Sequence, residues 1–286
     1  MSVAIISDSA CDLSLDYLHK MNVECLPLGV TIGDKEYEDG KSITPEKVYS
    51  LMRNGEAPKT SQVSPEAFRK TFTTYVEQGK PFIYFAFSSE LSGTYQTAKM
   101  IEQEIKEGQP EAQFEVIDTK AASLGYGLII IRAAELAQEG KSINEIVQTG
   151  RYYSDHMEHI FTVDDLEYLY RGGRVSKTAA FVGSLLKIKP LLHVDNGKLI
   201  PLEKIRGSKK VLKRMIDLMK ERGVSLDQQR IAISHGDDIE TAQKLSAMIK
   251  EEFGTKDIHI EMVGAVIGAH AGPGTIALFF LNDQPQ

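Results

Sequence analysis

The segment Phe82–Thr94 constrains the fold most. Phe82-Ile83-Tyr84-Phe85-Ala86-Phe87 is apolar at every position, and it runs straight into Ser88-Ser89-Glu90-Leu91-Ser92-Gly93-Thr94. A strand without a polar side has both faces covered, which is the habit of strands in parallel sheets. The stretch of hydroxyls and glycine predicts a turn, and Ser92–Glu107 reads as a helix opening from it. A helix start offers unpaired backbone N–H groups and the positive end of a dipole, so this point suits a phosphate or a carboxylate. Ser92 and Thr94 add side-chain donors there.

The rest of the chain repeats the alternation. Val3–Ser7, Pro81–Phe87 and Gln113–Asp118 read as strands, with helices over Leu13–Met21, Pro65–Gln78 and Ala121–Gln138. Val23–Ile32 reads as extended, with Gly33-Asp34 turning it back into Lys35–Glu38. Thr44-Pro45 and Ser64-Pro65 each place a hydroxyl cap before a proline at the first helical position. Ser142-Ile143-Asn144-Glu145 is a capping box. The pattern predicts an α/β protein with a mostly parallel sheet flanked by helices.

The character changes near Glu158. A short strand over His159–Val163 and a short helix over Asp165–Tyr170 lead to Gly172-Gly173. Ser176–Ile188 reads as a helix with few charges. Asn196-Gly197 between Leu191–Val194 and Lys198–Leu202 is a hairpin signal. Further strands and helices follow, with Gly268–Gly274 as a glycine-rich turn between two strands. A domain boundary is expected at about 158–164, giving an N-terminal α/β domain (1–160) and a C-terminal α/β domain with a mixed sheet (161–286).

At 286 residues, with 42% hydrophobic and 26% charged side chains, the chain reads as globular and long enough for two cores. A formal charge of -7 disfavours nucleic acid as the main partner. Cys11 and Cys25 cannot form a disulfide framework or a four-ligand zinc site. The N-terminus lacks a signal-peptide pattern, and no run of about 18 or more apolar residues is present. A cytoplasmic protein is expected.

Four polar clusters could carry chemistry. They are Thr60-Ser61-Gln62-Val63-Ser64, Ser88–Thr94, Arg171-Gly172-Gly173-Arg174, and Gly268-Ala269-His270-Ala271-Gly272-Pro273-Gly274. Hydroxyls, guanidinium groups and an imidazole make a donor-rich set suited to an oxyanion. Each has a plainer reading as a cap, a helix end or a turn. The chain carries no Gly-x-x-x-x-Gly-Lys-Ser/Thr loop, no Gly-x-Gly-x-x-Gly after the first strand and no Gly-x-Ser-x-Gly elbow. His156 and His159 lack a nearby acidic or cysteine partner for a metal. Ser234-His235-Gly236-Asp237-Asp238 follows a strand and offers groups that could bind something polar, but reads first as a strand-to-helix loop with Asp237 as the N-cap, and Cys11 reads as a packed thiol.

These clusters, in this order, resemble the DegV family of bacterial fatty-acid-binding proteins, which includes the binding-protein subunits of fatty acid kinase. Ser7-Asp8-Ser9-Ala10-Cys11-Asp12-Leu13 is similar to the family's opening Asp-Ser-x-x-Asp-Leu. Thr60-Ser61-Gln62, Ser89-x-Leu91-Ser92-Gly93-Thr94-Tyr95, Leu169-Tyr170-Arg171-Gly172-Gly173-Arg174 and Gly272-Pro273-Gly274 complete the set. Val63 departs from the proline usual there. The resemblance implies a two-domain fold that buries one long-chain fatty acid between its domains, with no other cofactor. It implies a carboxylate site of Thr60, Ser61, Ser92, Gly93, Thr94 and His270, with Arg171 or Arg174 beside them. The partners implied are the fatty acid and the catalytic subunit of a fatty acid kinase, and the role admits a transient contact with a membrane surface. The apolar run Ala179–Leu186 is the candidate tunnel wall. The chain would then be a carrier rather than an enzyme. The alternative is an enzyme acting on a small phosphorylated or carboxylated substrate in the same pocket, with His270 as general acid or base.

Overall fold

The computed structural model describes residues 2–176 and 188–283. Residues 177–187 of the sequence-expected helix Ser176–Ile188, with its apolar run Ala179–Leu186, lie outside the described residues, and Ile188 opens a strand rather than ending a helix. In chain order the first part runs β1 (Ala4–Asp8), a 3-10 turn (Ser9–Cys11), α1 (Leu15–Lys20), β2 (Val23–Leu26), β3 (Gly29–Ile32) and β4 (Lys35–Glu38). Then come α2 (Pro45–Arg53), β5 (Lys59–Ser61), α3 (Pro65–Glu77), β6 (Phe82–Ala86), α4 (Thr94–Gly108), β7 (Phe114–Asp118), α5 (Ser123–Gln138) and α6 (Ile143–His156). The second part continues with β8 (Met157–Thr162), α7 (Glu167–Arg171), β9 (Ile188–Asp195), β10 (Lys198–Arg206) and α8 (Ser208–Arg222). It closes with β11 (Ile231–His235), α9 (Ile239–Phe253), β12 (Ile258–Met262), α10 (Ala265–Ala271) and β13 (Ile276–Leu281).

β2, β1, β6 and β7 form a four-stranded sheet in that order, and every pair is parallel. All five residues of β6 are buried, as an apolar run with no polar face requires. Phe82 stacks on Phe114 at 4.5 Å, and Phe68 and Phe72 of α3 pack on the same face. The extended stretch read over Val23–Ile32 is two strands. β3 leaves the main sheet and pairs antiparallel with β4 and β5, setting Val30 opposite Thr60. Thr60 therefore sits on a short strand rather than in a loop before α3.

The second sheet has the order β10-β9-β8-β13-β11-β12, antiparallel except for β11–β12. Period-two alternation sorts its faces. In β13, Ile276, Leu278 and Phe280 join α8 and α9 in one core, while Ala277, Phe279 and Leu281 join the core shared with the first sheet. Asn196 and Gly197 both take positive φ, 47° and 84°, so the β9–β10 hairpin turns as expected. α5 is apolar around nearly its whole circumference and packs on β1 on one side and β11 on the other. A helix of that kind is stable only when enclosed.

Candidate functional site

A cavity of about 220 Å³ lies where α10, β5, the turn after β6 and the inner face of the second sheet meet. Its wall is mainly apolar, with Leu28, Phe87, Phe161, Leu199, Val266 and Phe279 among the contributors. Thr60, Ser61, Ser92, Gly93, Arg174 and His270 also line it, so residues more than 200 positions apart in sequence converge. Thr60 Oγ1 is 2.7 Å from His270 Nε2. Ser92 Oγ is 2.8 Å from Thr94 Oγ1 and accepts a longer hydrogen bond from the Thr94 N–H at 3.3 Å.

Each of these side chains has a local reason for its place. The turn after β6 is closed by Leu91 and Ser92 N–H groups donating to the Ser88 carbonyl. Ser88 Oγ in turn donates to Gly197 O at 2.9 Å, tying the turn to the β9–β10 hairpin. Asp8 accepts from Tyr84 Oη at 2.6 Å and from the Phe87 N–H at 3.1 Å, fixing the end of β6. His270 stands on α10, not in the glycine-rich turn expected there. That helix starts where the Asp39 carboxylate accepts from the Ala265 and Val266 N–H groups, at 3.2 and 3.3 Å. Gly272 takes φ 80° and ends it.

Two of the expected residues stand off the wall. Thr94 is fully buried behind Ser92. Arg171 is exposed, with its guanidinium 5.3 Å over the Tyr168 ring. Arg174 is the arginine on the wall. Its Nε donates to Leu91 O at 3.0 Å and a second nitrogen to Gly172 O, which braces the Ser92 turn. Sequence reading missed the lining residues Ser123, His159 and Thr275, and set aside the polar-binding reading of the segment that holds Ser234, which also lines the cavity. Ser123 follows β7 as Ser92 follows β6, and that parallel was an available signal. The N-cap of α9 is Asp238, which accepts from the Thr241 N–H, and not Asp237. Asp237 instead pairs with Arg53 at 2.5 Å.

The electrostatics favour an anion. Burial, then the charges of Arg174 and Arg171, push His270 down to about 4, so its ring is neutral near pH 7. Burial also lowers the pKa of the half-buried Arg174. Among the described residues no carboxylate pairs with Arg174. A partly desolvated cation, without a counter-charge among the described residues, borders the cavity. His159, also on the wall, is held neutral with a pKa near 4, donating from Nδ1 to Met157 O while Nε2 accepts from the Ala122 N–H. Cys11 is packed away, its thiol pushed up to about 12 by burial.

Gly172 is a further constraint. A Cβ built there would stand 2.0 Å from His270 Nδ1. The ring is held on its other edge by Thr60, so it cannot simply swing aside. Gly172→Ala is expected to destabilise the protein by about 1–3 kcal/mol, as overpacking does. A thermal melt checks this, and an unchanged midpoint would mean that the ring yields freely.

A layered α/β chain with a largely apolar cavity and a cluster of donors on one part of its wall has the make-up of a small-molecule binding protein. The comparisons with known proteins narrow that class. The sequence matches the model of the DegV family, a family described as uncharacterised, over residues 2–283. A DegV domain-containing protein of Clostridium perfringens is 43% identical over 285 residues, covering 99% of this chain and 98% of its own. A solved DegV family protein of Thermus thermophilus, described by its fatty acid binding, superposes with a TM-score of 0.89 at 31% identity, covering 98% of this chain and 99% of its own. DegV of Bacillus subtilis, described as a fatty acid binding protein, gives 0.84 at 29% identity, with 98% of each chain covered. The chain belongs to the DegV family.

Proposed function

We propose that this protein binds a long-chain fatty acid in the cavity and holds its carboxylate with Thr60, Ser61, Ser92, the Gly93-Thr94 backbone, His270 and Arg174. The observation that carries this reading is the junction of donors with an apolar wall. A buried carboxylate is costly unless several donors meet it, and an arginine without a counter-charge among the described residues is the mirror image of that need. Arg171 contributes through its field rather than by contact. The acyl chain supplies affinity at about 0.8 kcal/mol per buried methylene, less the ordering terms. The relatives described as fatty-acid-binding support the same ligand class.

We further propose a carrier that presents the carboxylate to the catalytic subunit of a fatty acid kinase, which would form the acyl phosphate. Family resemblance supports that step. A histidine with a pKa near 4 is badly matched to acid–base work at neutral pH, which disfavours the enzyme alternative. The division into an N-terminal and a C-terminal domain belongs to the same proposal. Its boundary is best drawn at Met157, where β8 opens the second sheet, rather than at 160/161.

Solvent extraction of the purified protein followed by lipid mass spectrometry is the direct test. Near-stoichiometric fatty acid is expected, and purified apoprotein should bind added oleate. Thr60→Ala and Ser92→Ala should each weaken retention by about tenfold, since each leaves a carboxylate oxygen short of a donor. No extracted lipid together with no oleate binding would refute the carrier.

A further inference from the structure

The cavity wall carries a second set of hydroxyls that the carboxylate site does not use. Ser123 and Ser234 both line the cavity, and both are shielded from solvent. Their Oγ atoms are 2.9 Å apart, and Ser123 Oγ is hydrogen-bonded to Asp12 Oδ2 behind it. Among the described residues no hydrogen bond joins this set to Thr60, Ser92 or His270. Ser123 takes φ 53°, a left-handed backbone that disfavours any residue but glycine, so its side chain is held here against local preference. Asp12 belongs to the chain's opening motif, and the proposed carboxylate site leaves it without a role.

Asp12 Oδ1 in this set is buried beside Gly264, with no hydrogen bond of ordinary geometry among the described residues. A charged carboxylate with an unpaired oxygen is unfavourable in such a place, and burial raises the Asp12 pKa well above its ordinary value. Ser123 Oγ donates to Asp12 Oδ2. With that proton used, Ser234 Oγ donates to Ser123 Oγ, and the Ser234 oxygen keeps a lone pair for whatever fills the cavity. The side chains of its neighbours on that wall, Ala277 and Phe279, offer no donor.

We propose that Ser123 and Ser234 form a second ligand subsite, which receives a hydroxyl carried on the acyl chain, as in a hydroxylated long-chain fatty acid. The proposal rests on the fatty-acid reading of the cavity and deepens it. An unsubstituted chain leaves the Ser234 oxygen without a donor, and a hydroxyl at the matching carbon supplies one.

The test measures stearate against a series of hydroxystearates that differ only in the position of the hydroxyl, each displacing a fluorescent fatty acid from the full-length protein. One position should bind at least tenfold more tightly than stearate. Ser234→Ala should bring that hydroxystearate-to-stearate ratio to about one, with Ser234→Cys as the variant of choice if alanine impairs folding. Asp12→Asn keeps an oxygen to accept from Ser123 and should preserve the preference. A flat series, or a preference that survives loss of the Ser234 hydroxyl, overturns the subsite while leaving the carboxylate site standing. Failure of stearate and every hydroxystearate to bind overturns both.

Discussion

Asp8→Ala is expected to lower the unfolding free energy by about 3–5 kcal/mol. The Asp8 carboxyl is fully buried and accepts from three donors: Tyr84 Oη at 2.6 Å, the Phe87 N–H at 3.1 Å and the Ala10 N–H at 3.1 Å. Alanine leaves all three in an interior that water does not reach, at about 1–3 kcal/mol for each unsatisfied group and with less than full additivity. Asp8→Asn keeps one accepting oxygen and should lose less than half as much. Urea unfolding at pH 7 separates the variants, and a loss below about 1 kcal/mol for alanine would show that the donors find other partners. Because Phe87 leads into the Ser88–Gly93 turn, the alanine variant should also retain fatty acid poorly.

The same residue predicts a pH signature. Burial raises Asp8 to about 6, with the three hydrogen bonds pulling the other way. Between its unfolded value, about 3.9, and 6, the native state holds more of this proton than the unfolded state does. The Asp8 contribution to stability is therefore largest at or below about pH 4 and declines as pH rises to 6, by about 3 kcal/mol in all. His159 and His270 oppose it. Both are held near 4, so the unfolded state binds their protons first and stability rises with pH between about 4 and 6.5. The difference between wild type and Asp8→Asn removes the histidine terms. That difference should move in the variant's favour by up to about 3 kcal/mol from pH 4 to pH 7, and a flat difference would contradict a raised Asp8 pKa.

Legibility in the sequence followed the range of the interactions that decide each element. β6, the β9–β10 hairpin and the Ser142 capping box rest on neighbours within a few residues, and they stand where pattern alone puts them. α10 is the opposite case. Gly264, Gly268, Gly272 and Gly274 make its stretch read as a turn. The helix exists because Asp39, far earlier in the chain, accepts its first two N–H groups, and because Gly268 lets Tyr49 pack close. The site divides in the same way. Ser92 and Arg174 sit in stretches with a local signature. Ser234 looks like any polar residue at a strand end until β13 and α5 close around it. Arg171 and Arg174 are separated in role by where α7 stops, a matter of one turn that propensity does not resolve.

Arg174→Met is expected to weaken oleate binding by roughly 30-fold or more. The guanidinium is half-buried at the cavity wall, its pKa is lowered by burial, and no carboxylate pairs with it among the described residues. A bound carboxylate would supply that counter-charge, and truncating one partner of a desolvated, hydrogen-bonded charge pair removes about 2 kcal/mol or more. Arg174 also braces the Leu91–Ser92 turn through Leu91 O and Gly172 O, so a lower affinity alone would not separate charge from scaffolding. Oleyl alcohol separates them. It shares the chain and lacks the charge, so wild type should prefer oleate strongly, and Arg174→Met should lose that preference while changing alcohol binding little. Arg174→Lys retains a cation without the planar fork and should fall between the two, with oleate affinity more sensitive to salt than in wild type. Equal losses for acid and alcohol in Arg174→Met would assign the residue to the turn and leave the carboxylate to Thr60, Ser92 and His270.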